Sequence, residues 1–322
     1  MTDHSNNLSH VQGAISSILV VLTGSLGDLV RGFAILKPLK EQLPQAKVTW
    51  LVEDKWKSIA QRISGIDKLM VFERKRGLAG VKQIIKELKA SKFDVTLDMQ
   101  RHLKSGFFSY LSGSKRRVGF HPKNAKEFNY LFNTEYIPRC ENDFPKIYHY
   151  MKFVEQLGLT WEEPLDFGFN LSTVKKDDSI AIVLGSSKVE KDWPKERYTV
   201  LIKQIVDKLQ RKVVLLGDSS QKAAAEEIVT KCQSVLIDNK VGQTTLPQLV
   251  DLLANAHVAL GPDSGPGHIA AAVGTPYIAF FGPTEVRRVA PYRCEEFVIQ
   301  AETGRVSDIE EEVVFNKLLT LL

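Results

Sequence analysis

Short apolar runs alternate along this chain with stretches of helical period. Residues 18–22 are uninterrupted apolar positions, and they end in Thr23, Gly24, Ser25, Leu26, Gly27 and Asp28. A helical spacing follows, with Leu29, Phe33, Leu36, Leu39 and Leu43 on one face and Pro38 as a point of kinking. Further strands are predicted at 48–52, 68–72 and 93–97, with helices over 55–63 and 79–90 between them. The stretch 118–139 is less regular, and 148–157 reads as a helix closed by Gly158. Residues 171–179 are polar and charged and read as a linker. The pattern then restarts, with strands at 180–184, 212–216, 235–238, 257–260 and 277–281. Helices are predicted from Pro194 to Leu209 and over 220–231, 246–254, 268–273 and 310–322.

Alternation of this kind predicts parallel sheets covered by helices on both faces. The simplest architecture is α/β, with two doubly wound, Rossmann-like domains facing a cleft. The first spans 15–172 and the second 178–322, after a polar leader over 1–14 that is expected to be disordered. In open parallel sheets, ligands sit beyond the carboxyl ends of strands, and the informative turns lie at such ends.

Composition narrows the class. A chain of 322 residues is long for one core and suits two domains. No run is apolar for long enough to span a bilayer, and the N-terminus has no basic-then-apolar signal pattern, so a cytoplasmic protein is expected. Cys140, Cys232 and Cys294 are scattered, form no metal-ligand spacing and are expected as reduced thiols. The formal charge of +5 suits a phosphorylated substrate, an anionic membrane or nucleic acid, and does not choose among them.

Three turns carry candidate chemistry. In the run from Gly261 to His268, Asp263 ends a strand, and Ser264, Gly265 and Gly267 let an anion approach the start of a helix. His268 adds a donor. Asp263 would repel phosphate and is expected to orient N–H groups or a hydroxyl. An ordinary helix cap reads equally well from these residues alone. The second turn, Ser186 to Pro194, offers Ser186, Ser187, Lys188 and Lys191, cations suited to a diphosphate or to a solvated loop. The third, Gly24 to Asp28, is not the dinucleotide fingerprint. Its Asp28 reads as a cap or as a general base for a hydroxyl. Lys104, Lys115, Arg116, Arg117, Lys123 and Lys126 gather in the first half and suit an anionic ligand or a solvated face.

Taken together and in order, these elements resemble glycosyltransferase family 9, the ADP-heptose:lipopolysaccharide heptosyltransferases. The likeness runs from about residue 18 onward. It rests on Gly24 to Asp28, on Asp98, Gln100, Lys104 and Ser105, and on Arg117 before Gly119 and Phe120. It continues through Lys191 to Pro194, Asp263 to His268, and Gly282 to Thr284. The resemblance implies a GT-B fold and an inverting transfer of heptose, with no metal and no cofactor. The donor would be ADP-heptose and the acceptor the anionic inner core of lipopolysaccharide, Kdo-lipid A or a core heptose; no nucleic acid is expected. Asp28 would be the base and Lys191 the partner of the leaving diphosphate. Ser186, Ser187, Asp263, Ser264, Gly265 and His268 would bind the donor, and Gly27, Gln100, Lys104, Arg116 and Arg117 the acceptor. Arg31 and Ala34 stand where many members have His and Pro, and the turn Gly217 to Gln221 lacks a clear match to the acid that contacts the nucleoside. A transferase using another nucleotide sugar, or an inactive binding homologue, remains as the alternative. Whether the chain itself touches the inner membrane, or only its lipid substrate does, is open at this level.

Overall fold

The computed structural model describes residues 15–186 and 188–322. The expected leader over 1–14 and the candidate residue Ser187 lie outside the described residues. The chain divides into two compact units, one running to Asn170 and one from Leu171 to Leu322.

The first unit holds one parallel sheet of β1 (Ser17–Val21), β2 (Lys47–Glu53), β3 (Lys68–Phe72), β4 (Val95–Asp98), β5 (Arg116–Gly119) and β6 (Glu135–Tyr136), in the order β3-β2-β1-β4-β5-β6. Its helices are α1 (Leu26–Phe33), α2 (Leu36–Gln42), α3 (Lys57–Ala60), α4 (Leu78–Ala90), α5 (Leu103–Leu111) and α6 (Lys146–Gln156). The second unit holds β7 (Ile180–Val183), β8 (Val213–Leu216), β9 (Ile237–Asn239), β10 (Val258–Pro262), β11 (Tyr277–Phe281) and β12 (Ile299–Gln300), in the order β12-β11-β10-β7-β8-β9. Around them lie α7 (Lys195–Gln204), α8 (Lys222–Cys232), α9 (Leu246–Asn255), α10 (Gly265–Ala272), α11 (Val286–Val289) and α12 (Glu311–Leu319).

The central strands β1, β7 and β10 are apolar on both faces because helices cover both faces, whereas β4, equally buried, turns Thr96 and Asp98 to one face. Each unit has its own core. Leu19, Val21, Leu51 and Phe108 pack together in the first, and Ile182, Leu215, Leu260 and Phe280 in the second. In each sheet the strand order reverses beside the first strand, at β1/β4 and at β7/β10.

Two departures have local causes. The single helix expected from Leu29 to Leu43 is two helices, broken at Ala34 and Ile35. Pro38 lacks the N–H that would bond the Ala34 carbonyl, and its ring crowds that carbonyl, so the break falls one turn before the proline. The periodicity also misses α5, β5, β6 and β12, whose short or aromatic-rich sequences carry weak signals. Among the described residues, no helix is long and apolar enough to cross a membrane.

Candidate functional site

In the first unit the turn after β1 presents Asp28. Ser25 caps α1: its hydroxyl accepts from the Asp28 N–H at 3.2 Å and donates to Asp28 Oδ2 at 2.8 Å. Arg31 Nη2 reaches Asp28 Oδ1 at 2.8 Å, and Lys146 Nζ approaches the same oxygen at 3.7 Å. Burial would raise the Asp28 carboxyl, but the charges of Arg31 and Lys146, with the hydrogen bonds from Arg31 and Ser25, outweigh it. The net effect holds it well below the usual carboxylate range. Its side chain is 27% exposed, so a ligand can reach it. Tyr150, buried nearby on α6, has its phenol pushed up by burial first and by the Asp28 charge second. Lys146 and Tyr150 carry no local sequence signal, since only the packing of α1 on α6 brings them to Asp28.

Gln100 follows β4, the strand beside β1. Its Oε1 accepts from the Thr23 N–H at 2.8 Å and the Thr23 hydroxyl at 3.0 Å, so it braces the Gly24–Asp28 turn. Asp98 before it is fully buried. It accepts from Asn129 Nδ2 at 2.7 Å, Asn133 Nδ2 at 3.1 Å and the Gln100 N–H at 3.3 Å. Burial pushes its carboxyl up to about 6, against these hydrogen bonds. Gly27 is buried in the first turn of α1. Lys104 Nζ lies 2.9 Å from Glu53 Oε1, and Lys55 and Arg74 approach the same buried carboxylate at 3.3 and 3.5 Å. Three cations on one carboxylate leave a net positive spot at the carboxyl end of β2.

Arg116 and Arg117 are placed apart from these residues. They begin β5, in register with Val95 and Thr96 at the start of β4, toward the amino ends of the strands and away from Asp28 and Gln100 at the carboxyl ends. Arg116 is spent on a two-pronged pair with Glu135 at 2.8 and 3.0 Å. Arg117 donates to the carbonyls of Phe132 and Ser114. A run of basic letters does not say which end of the strands it reaches; the strand register does.

In the second unit the loops after β7 and β10 meet. Lys191 Nζ lies 2.5 Å from Asp263 Oδ2. The expected partner of Asp263 was an N–H group or hydroxyl, and the structure supplies the lysine instead. Asp192 Oδ1 accepts from the Ser186 N–H at 2.7 Å, while the Ser186 hydroxyl donates to the Lys188 carbonyl at 2.7 Å. Trp193 is buried, with its indole N–H on the Ile309 carbonyl at 2.8 Å, which anchors the loop at the start of α7.

Ser264 stands at the N-cap of α10, yet its side chain makes no capping bond. Its Oγ is buried, with the Tyr277 hydroxyl as its neighbour and no helix N–H bonded to it. A serine at this position ordinarily satisfies a helix N–H; this one leaves the helix terminus opened by Gly265 uncapped. Gly267, expected to admit an anion, serves packing: a Cβ there would lie 2.6 Å from the Tyr277 ring. His268 is 5% exposed on the first turns of the same helix.

Beside this, at the carboxyl ends of β7 and β8, lies a cavity of about 490 Å³ lined in part by Leu184, Ser186, Asp192, Trp193, Asp218 and Gln221. Asp218 and Gln221 cap each other's backbone there. Among the described residues, no three His, Cys, Asp or Glu side chains gather as a metal site.

Comparison with known proteins gives a consistent set. The sequence matches glycosyltransferase family 9 (heptosyltransferase) over residues 81–319. The lipopolysaccharide core heptosyltransferase OpsX of Haemophilus influenzae is 29% identical over 292 residues, covering 87% of this chain and 82% of its own length. Lipopolysaccharide heptosyltransferase 1 of Escherichia coli is 22% identical over 323 residues, covering 94% and 99%. Among solved structures, the E. coli heptosyltransferase WaaC with ADP has a TM-score of 0.83 at 20% identity, covering 95% of this chain and 100% of that one. A family 9 glycosyl transferase from Veillonella parvula has a TM-score of 0.82 at 21% identity, covering 95% and 97%. These structural likenesses carry the fold.

Proposed function

The chain belongs to glycosyltransferase family 9, the heptosyltransferase family, and on that footing we propose that it moves a heptose from ADP-heptose to the inner core of lipopolysaccharide. The similar proteins are lipopolysaccharide heptosyltransferases, OpsX among them a core heptosyltransferase, and the E. coli heptosyltransferase WaaC has been solved with ADP-2-deoxy-2-fluoro heptose. One observation carries the reading: the cation of Lys191 sits against Asp263 at the head of α10, beside a serine hydroxyl that caps no helix N–H and an uncapped helix N-terminus. A lysine, a hydroxyl and a helix N-terminus together suit a diphosphate, and they supply positive charge where a departing ADP gains negative charge. The donor would bind the second unit, with its nucleoside toward the cavity at Asp192, Asp218 and Gln221.

The proposed step is a single displacement with inversion. An acceptor hydroxyl oxygen attacks the anomeric carbon as the bond to the diphosphate oxygen breaks. Asp28 takes the hydroxyl proton, and the electron pair leaves with ADP toward Lys191 and the α10 terminus. An anionic acceptor that draws Lys146 toward itself would strengthen Asp28 as a base, and the positive spot of Lys55, Arg74 and Lys104 would attract such an acceptor. The first unit would thus bind the acceptor. No metal is assigned a role in this scheme.

The test is incubation with ADP-heptose and truncated lipopolysaccharide acceptors, with product mass and linkage determined. Product of opposite anomeric configuration, formed equally with chelator present, is expected. Failure with every core acceptor would remove the assignment, and retained configuration would remove the single displacement. A second reading, a different nucleotide sugar, is favoured by Asp218 and Gln221, which line the cavity, engaging side-chain oxygens with the backbone N–H groups of Ser220 and Asp218. Calorimetry with ADP, UDP and GDP separates the two.

A further inference from the structure

Large apolar side chains that reach solvent usually do so singly. On the first unit of this chain all of those described except Leu78 share one face. Leu103, Phe107 and Tyr110 recur on α5 at the spacing of one helical side and are 49%, 38% and 56% exposed. The short helix Asn129–Phe132 packs against α5 so closely that a Cβ at Gly106 would lie 2.9 Å from Asn129 and Phe132. Phe132 meets Phe107 and Tyr110 edge-on, with ring centroids 6.4 and 6.3 Å apart. Phe128 and Leu131 extend the face, each 68% exposed. Among the described residues, the exposed aromatic side chains are Phe107, Tyr110 and Phe128, and all three lie here.

Two observations say what covers this face. The first is backbone strain. Glu127 and Phe128 are consecutive left-handed residues, with φ of 53° and 56°. A phenylalanine is strained in that region, where Gly or Asn sits readily, and such strain persists mainly where a function uses it. Here the strain projects an aromatic ring into solvent. The second is charge. Residues 99–134 contain seven lysines and arginines against one acid, Glu127; Lys104 is paired with Glu53 and Arg116 with Glu135, which leaves five cations outside those two pairs. Arg117 lies over the Tyr110 ring, and Lys115, Lys123 and Lys126 are exposed. The single acid is exposed but engaged at the start of α5, where it accepts from the Leu103 N–H at 3.0 Å and pairs with His102.

An apolar face set in a basic band complements a surface that is negative outside and apolar beneath. We propose that this face docks the protein onto an anionic lipid bilayer. Phe107, Phe128 and Leu131 enter the boundary between headgroups and acyl chains, and Lys115, Lys123 and Lys126 meet the headgroups. The contact is interfacial and adds no membrane-spanning segment.

The full chain, without substrate, is sedimented with vesicles of phosphatidylglycerol and phosphatidylethanolamine and, separately, of phosphatidylcholine alone. Binding to the anionic vesicles that weakens as salt is raised is expected, with little binding to the neutral ones. Phe128→Asn combined with Leu131→Ser should lower that binding at least about tenfold. Its thermal midpoint should be unchanged or higher, because Asn tolerates the left-handed backbone. Lys123→Glu combined with Lys126→Glu should weaken binding to anionic vesicles in the same way. Equal binding to both vesicle types, or undiminished binding by the Phe128/Leu131 variant, overturns the proposal. So does a dimer in light scattering that this variant dissociates, since the cover would then be a second copy. Because no sugar is transferred in this assay, its outcome is independent of the transferase reading.

Discussion

At Asp28 the same charges that keep the carboxylate ionised also weaken it as a base. Arg31 and Lys146 hold its pKa well below the ordinary range, so it is ready to accept a proton at any physiological pH but binds that proton loosely. Asp28→Asn should lower turnover by about 10²–10⁴-fold while leaving ADP binding intact, as read by calorimetry. Arg31→Gln removes a positive charge and lets the carboxyl rise. The acid limb of the kcat/KM–pH profile should then move to higher pH, and an unmoved limb would mean that Asp28 is not the titrating base. Asp98 works in the opposite direction, with burial raising it from 3.8 to about 6. A raised carboxyl contributes stability that is complete below its unfolded value and is lost as pH rises through the folded one. Relative to Asp98→Asn, the wild type should therefore lose on the order of 2–3 kcal/mol of stability between pH 4 and 7, checked by urea denaturation at several pH values. The turns that hold the candidates Asp28, Lys191 and Asp263 were legible in the sequence because each follows an apolar run. Lys146, Tyr150 and the network around Asp98 were not, since residues distant in sequence form them.

Two helix starts show how one kind of residue does two kinds of work. Ser25 caps α1 and also bonds the Asp28 carboxylate, whereas Ser264 heads α10 with no capping bond. Ser25→Ala should cost about 1 kcal/mol of stability. Ser264→Ala should leave the thermal midpoint nearly unchanged yet weaken ADP binding by about 0.5–1.5 kcal/mol, a contrast that scanning calorimetry and titration can read together. Equal losses of stability in both would make Ser264 an ordinary cap. The strong elements of the fold were readable: the apolar runs of β1, β2, β3, β7 and β11 fall within a residue or two of their observed bounds. α5 was not, because its apolar residues face solvent on one side as well as the core on the other, so its sequence lacks the one-sided period that marks an ordinary surface helix. The element that periodicity cannot see is the one proposed to meet the membrane.

At the scale of the molecule, the restart of the strand–helix pattern at residue 180 was the clearest signal for two units, and each forms its own sheet and core. Strand order within a sheet was not legible, because equally apolar strands do not state their neighbours. That order has a consequence in time. In both units the first strand made lies in the middle of the sheet and waits for a partner far along the chain: Ile18 pairs with Val95, and Ile180 with Val258. The candidate residues follow these late-meeting strands, Asp28 and Gln100 in one unit, Lys191 and Asp263 in the other. Pairings so distant in sequence form slowly. Helical signal should therefore return early in refolding, and capacity to bind ADP should return only with the last phase, as stopped-flow circular dichroism and ligand fluorescence would show. A partly folded chain would then hold no nucleotide, and the nucleotide would stabilise only the finished sheet.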